Sequence, residues 1–162
     1  MKTNKNLKDI GKELKEALNK IGKYVIEIGV FSQDTGRIEK VRVGVTNAEL
    51  MFIHENGSPL RHIPARPVLQ LTINYANREL LNKTIDRAIK AYFESNFDEK
   101  AYEDEFNKLC MRMESTARKI IYKNVGILAP NAPSTIAAKG DNHPLFDTGQ
   151  LARSITCRLV KL

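Results

Sequence analysis

Tyr24 to Phe31, the stretch YVIEIGVF, sets the fold class of this 162-residue chain. Apolar side chains at every second position bury one face of an extended segment and leave the other wet, which is the period of a β-strand. A second alternating run, Val41, Val43 and Val45 with Arg42 and Gly44 between them, follows the polar Ser32-Gln33-Asp34-Thr35-Gly36-Arg37. Strand, polar turn and strand predict a β-hairpin. Far along the chain, Ile155, Cys157 and Leu159 alternate with Thr156, Arg158 and Val160 and predict a closing strand. In the middle the period lengthens to three and four. Leu69, Ile73, Ala76 and Leu80, continued by Leu81, Ile85, Ala88 and Tyr92, predict one long helix. Tyr102, Phe106, Leu109, Met113, Ala117 and Ile120 predict a second from about Lys100 to Tyr122. The expected class is α+β, with a small, mainly antiparallel sheet of hairpin plus C-terminal strand packed against long helices.

Leu7, Ile10, Leu14, Leu18 and Ile21 form one apolar stripe on an N-terminal amphipathic helix. The expected organisation is that helix over 1–23, followed by a single α+β domain over 24–162. Asn47 is a suitable cap for a short helix through Glu55, closed by Asn56-Gly57. Pro59, Pro64 and Pro67 fix φ and remove backbone donors, so 59–67 reads as an extended loop. Beyond Val125, Gly126, Pro130, Asn131, Pro133, Gly140, Asn142 and Pro144 punctuate another loop, broken by a short helix around Ser134 to Lys139. Asp147 and Gln150 are spaced as cap and third residue of a further helical turn.

Composition is that of an ordinary folded chain, 42% apolar and 28% charged, with no apolar run long enough to span a bilayer. The N-terminus lacks the apolar core of a signal peptide, so a cytoplasmic site of synthesis and residence is expected. Cys110 and Cys157 lie in apolar patterns without CxxC spacing and read as buried thiols. The net charge of +7 resides at the ends. Residues 1–23 carry seven Lys against three acids, 118–162 seven basic against two acidic, and the middle twelve basic against fourteen acidic. Basic ends of this kind suit a solvated face, an acidic partner or nucleic acid.

Catalytic patterns fail on inspection. Asp147-Thr148-Gly149 matches the aspartic protease triplet, but thirteen residues after Gly149 are too few for the strands and groove such an enzyme needs. His54-Glu55 starts like HExxH, yet Ser58 stands where the second histidine belongs and Gly57 interrupts the helix. His62 and His143 are isolated in Pro-rich loops, so zinc would require three loops to converge. No GxSxG, GxxxxGK[ST] or GxGxxG is present. The expectation is a protein without catalysis, cofactor or metal.

Two stretches carry a resemblance. Phe52-Ile53-His54-Glu55-Asn56-Gly57-Ser58, followed by Ile63-Pro64-Ala65-Arg66-Pro67-Val68-Leu69, resembles the "HE-x-G-(S/T)…P-A-R-P" signature of bacteriophage neck and tail-completion proteins. Ala129-Pro130-Asn131-Ala132-Pro133-Ser134-Thr135-Ile136-Ala137-Ala138-Lys139-Gly140, then Pro144-Leu145-Phe146-Asp147-Thr148-Gly149-Gln150-Leu151-Ala152-Arg153-Ser154-Ile155, is similar to the ending of the same virion-morphogenesis group. Val68 stands where that family often has phenylalanine. The resemblance implies a structural subunit of a homo-oligomeric ring at the head–tail junction of a long-tailed phage. Its implied partners are its own kind and other neck, portal-adaptor or tail proteins, with no membrane. Its implied location is the virion, and the host cytoplasm during assembly. The alternative is a DNA-binding accessory protein using the basic ends, and these ends also permit transient contact with packaged DNA. The signature residues are His54, Glu55, Gly57, Pro64, Arg66, Pro67, Asn131, Pro133, Lys139, Gly140, Asp147, Thr148, Gly149, Leu151 and Ser154. Arg66, held between Pro64 and Pro67, has two open roles: a forked bond to a carboxylate of an adjacent subunit, or a cap on carbonyls of its own chain.

Overall fold

The first strand, β1, spans Tyr24–Gly29, and its hydrogen-bonded neighbour is the closing strand β2, Thr156–Lys161, in an antiparallel sheet that has two strands among the described residues. The Leu162 N–H carries the register one step further by donating to the Lys23 carbonyl at 2.7 Å. The computed structural model describes residues 6–31, 44–123 and 126–162. Most of the expected hairpin partner, Val41 to Val45, lies outside these residues, and its described members Gly44 and Val45 are not in a strand. A two-stranded sheet is marginal alone, and here helices cover it: the chain is α+β.

Among the described residues the α-helices are α1 (Leu7–Ile21), α2 (Asn47–Asn56), α3 (Val68–Tyr75), α4 (Arg78–Glu94), α5 (Glu99–Lys123), α6 (Pro133–Lys139) and α7 (Gln150–Arg153). Two sequence expectations change. Thr46, not Asn47, caps α2. Its Oγ1 accepts from Glu49 N–H at 3.2 Å while Glu49 Oε2 accepts from Thr46 N–H at 2.8 Å. This reciprocal box satisfies two helix-start donors at once, and Asn47 becomes a buried helical residue.

The single long helix expected over 69–92 is two, broken at Ala76 (ψ 51) after its N–H makes the last bond to Thr72. The apolar spacing is continuous across that break, but its members serve different cores. Leu69 packs beside Met51, Val68, Ala117, Ile121 and Ile155, whereas Ile85 packs beside Ala17, Ala88, Tyr92, Tyr102 and Phe106.

Contacts group the described residues into two units. One unit comprises the described residues through Glu27, with Arg78–Cys110 and Arg158–Leu162. The other comprises those of Ile28–Asn77 and Met111–Cys157. In the first, aromatic edges meet faces: Tyr24 on Tyr102 at 5.5 Å, Tyr92 on Tyr102 at 5.8 Å and Tyr92 on Phe97 at 5.5 Å between centroids. Such T-shaped pairs add to their buried area. In the second, Leu151, Ala152 and Ile155 are buried at the end of the second signature. Cys110 and Cys157 are buried thiols, as their apolar patterns predict. Among the described residues no helix is long and apolar enough to cross a membrane.

Candidate functional site

The first signature builds a tight return. Gly57 follows α2 with φ +74°, and a Cβ there would stand 2.8 Å from the Ala65 nitrogen and 3.0 Å from the Ile63 carbonyl oxygen. Glycine alone fits both the positive φ and the close backbone approach. The chain then closes on itself: Ser58 N–H donates to Ile63 O at 2.8 Å and Ile63 N–H to Ser58 O at 3.0 Å, with one 3₁₀ turn, Pro59–Arg61, inside. Leu60 stands at the tip, 96% exposed. Pro67 precedes α3 and makes no side-chain cap. Glu55 supplies the cap from a distance, accepting from the N–H groups of Leu69 at 3.0 Å and Gln70 at 2.8 Å. Glu55→Ala is expected to cost about 1 kcal/mol of stability in urea unfolding, the usual loss of a helix cap.

Arg66 ties this return to the second signature. It is 5% exposed. Its Nε donates to the Ala129 carbonyl at 2.8 Å and its Nη2 to the Pro130 carbonyl at 2.7 Å, while Nη1 lies 3.3 Å from His54 Nδ1. Its own N–H donates to the His54 carbonyl at 2.5 Å. Of the two roles open from sequence, the guanidinium fills the intramolecular one, so a forked bond to a neighbouring subunit's carboxylate is set aside.

Arginine only donates, so Nδ1 of His54 accepts and its proton sits on Nε2. Burial, and then the Arg66 charge, push the His54 pKa from 6.5 down to about 4. The unfolded chain therefore binds the extra proton first as pH falls. His54's contribution is complete above about pH 6.5 and is lost as pH drops toward about 4, amounting to about 2 kcal/mol at 1.4 kcal/mol per pKa unit with allowance for relaxation. Urea midpoints measured across that window should fall with pH, and His54→Gln should flatten the dependence.

The second signature is a loop closed from within. Pro133 occupies the first position of α6, where its missing N–H costs nothing, and Gly140 ends the helix in the left-handed conformation. Lys139 Nζ donates to the carbonyls of His143, at 3.1 Å, and Phe146. Asn131 N–H donates to Asn142 Oδ1 at 2.9 Å. His143 Nε2 donates to the Ile121 carbonyl at 2.6 Å, which places its ring 4.8 Å from that of Phe146.

The Asp147-Gln150 cap is corrected. Helix α7 begins at Gln150 behind Gly149, whose φ of +76° turns the chain at the cap position, and no side chain caps it. Asp147 and Thr148 are exposed. Ser154 Oγ donates to the Leu151 carbonyl at 2.8 Å and closes the turn.

Both signatures therefore face one cleft of about 410 Å³. His54, Pro64 and Arg66 come from the first, and Asn131, Lys139, Asp147, Thr148, Gly149 and Leu151 from the second. Glu55, Gly57, Pro67, Pro133, Gly140 and Ser154 are not among the lining residues. Sequence reasoning missed Asn142 and His143 as loop anchors and Leu60 as an exposed tip, because isolated residues in a Pro-rich loop carry no periodic signal. Chemically, the cleft's strongest groups are engaged in holding loops: His54 with Arg66, Arg66 with two carbonyls, Lys139 with two more. Among the described residues no group of three or more His, Cys, Asp and Glu is placed to hold a metal. No family model, curated protein or solved structure matches the chain.

Proposed function

We propose that the chain is a non-enzymatic structural subunit of a long-tailed bacteriophage, acting in a ring at the head–tail junction during neck or tail completion. The observation that carries this reading is the Arg66 bridge. It joins the two segments that resemble neck and tail-completion signatures, drawn from distant parts of the chain, into one pinned surface. Loops held this way lose little entropy on docking, which suits a part that must lie against neighbours in an assembly. Leu60 on its closed tip offers such a surface an apolar contact.

Ion pairing favours assembly over the DNA-binding alternative, since several basic residues of the ends are already paired. Lys20 and Lys161 meet Glu99 at 2.8 and 3.3 Å, Arg158 meets Glu27 at 2.8 Å, and Arg118 meets Glu114 at 3.0 Å. The test is a phage stock with a stop codon in this reading frame, viewed by negative stain. Filled heads separate from tails, restored to virions by the chain in trans, are expected; complete infectious particles without it refute the assembly role. Tight, salt-sensitive binding to duplex DNA by the purified chain would move the assignment to the alternative.

A further inference from the structure

Helix α1 offers a face that its own unit leaves open. At about 100° per residue, Lys8, Lys12 and Lys15 form a row along one side of the apolar stripe, and Asp9, Glu13 and Glu16 a row along the other. The helix is seated on the acidic side. Ala17 there is buried, and Lys20 lies against Glu99 and over the Tyr92 ring. Leu7, Ile10, Leu14 and Leu18 remain 85, 43, 39 and 47% exposed, and the three lysines beside them are exposed as well. The open face combines four aliphatic side chains with ammonium groups.

A surface of opposite character exists on α2. Phe52 is 70% exposed, with Glu49 and Glu55 three residues to either side, beside a groove of about 220 Å³ lined by Val30, Ala48, Met51 and Leu69. Both carboxylates are held in place, Glu49 by the Thr46 box and Glu55 by the start of α3. Lysines beside an aliphatic ridge match carboxylates beside an apolar groove. An antiparallel two-fold pairing of two α1 faces would instead set lysine row against lysine row, and a parallel one would need the acidic row, which lies on the side by which the helix is seated.

We propose that the open face of α1 on one copy docks onto the Phe52 groove of the next. Two different patches meeting in this way make a heterologous contact, which repeats and closes into a ring when the rotation allows. The inference rests on the ring reading above and names its joint. Helix α1, about 22 Å long at 1.5 Å per residue, is long enough to lie along such a groove.

Sedimentation velocity of the full chain from micromolar to millimolar concentration tests it. Wild type should associate progressively, and less at high salt. Leu14→Asp and Phe52→Asp, both at exposed positions, should each weaken association by about tenfold or more. Mixed together they should form a one-to-one heterodimer that grows no further, because each variant retains one good face. If an aspartate unfolds its chain by circular dichroism, Leu18→Gln and Phe52→Ser give the same readout.

A monomeric wild type, association indifferent to Phe52→Asp, or Leu14-dependent binding to phosphatidylglycerol vesicles by a chain that stays monomeric would each overturn the joint. Particle complementation is scored separately. Intact pairing without complementation counts against the head–tail role alone, and complementation by a Phe52→Asp chain counts against the joint alone.

Discussion

Replacing Arg66 with alanine is expected to lower unfolding free energy by about 3 kcal/mol and the melting temperature by roughly 6–12 °C, at 2–4 °C per kcal/mol for a chain of this size. The side chain is almost wholly buried and donates to the carbonyls of Ala129 and Pro130 and toward His54 Nδ1. Hydrogen bonds from a charged donor contribute about 1.5–3 kcal/mol each, and deserted acceptors carry a desolvation cost where water cannot reach them. The half-buried Ala129 keeps that cost, while the exposed Pro130 recovers part of it from solvent. Arg66→Lys should restore less than half, since one ammonium cannot reproduce a planar fork. Hydrogen exchange around residues 128–132 should accelerate in both variants. A loss below about 1 kcal/mol for Arg66→Ala would mean the two signatures hold together without the bridge. The same variant should also narrow the pH window of His54, because the charge opposing its protonation is gone.

Gly57→Ala is expected to cost about 2–4 kcal/mol, more than any propensity difference between the two residues. Two terms add: a φ of 74° with a ψ of 177°, a combination adopted almost only by glycine and costing an L-residue about 1–3 kcal/mol, and a Cβ 2.8 Å from the Ala65 nitrogen. That neighbour is backbone and cannot rotate away. Relief must come from moving the 58–65 return, which carries Arg66 N–H off the His54 carbonyl. The double variant Gly57→Ala with Arg66→Ala should therefore lose less than the sum of the singles, as residues sharing one network do. A Gly57→Ala chain that unfolds in urea within about 0.5 kcal/mol of wild type would show that the return relaxes freely.

Both predictions concern a glycine and an arginine that the sequence singles out, yet for different reasons. Alternation at Tyr24, Ile26, Ile28 and Val30 was legible because period two reports a buried face directly, and those side chains do pack on the cores. The spans of α5 and α6 were legible to within a residue or two for the same kind of reason. The break at Ala76 was not, because Leu69, Ile73, Ala76 and Leu80 keep helical spacing across it while packing separates their destinations. The cap of α2 differs by one residue because Thr46 and Asn47 are both competent caps, and Glu49, the partner that selects Thr46, lies inside the helix. At the candidate site, stiff Pro-rich loops and the importance of Arg66 were readable from residue types. Its partners were not, because carbonyls of Ala129 and Pro130 have no side-chain signature and lie far along the chain. Asp147 does not cap α7, because Gly149 takes that position with a backbone conformation instead of a side chain.

The pairing of β1 with β2 has a consequence for how the chain is made. The whole of residues 30–155 lies between the two strands, so on the ribosome β1 emerges early and its partner late. Closing so long a loop is slow relative to the local helical contacts that precede it. Ile26 and Ile28 then wait without this partner through most of synthesis, and strand edges left waiting are the kind of segment that chaperones hold and that aggregates when they do not. A nascent chain arrested ahead of Thr156 should bind trigger-type chaperones and resist native maturation until the last strand is released.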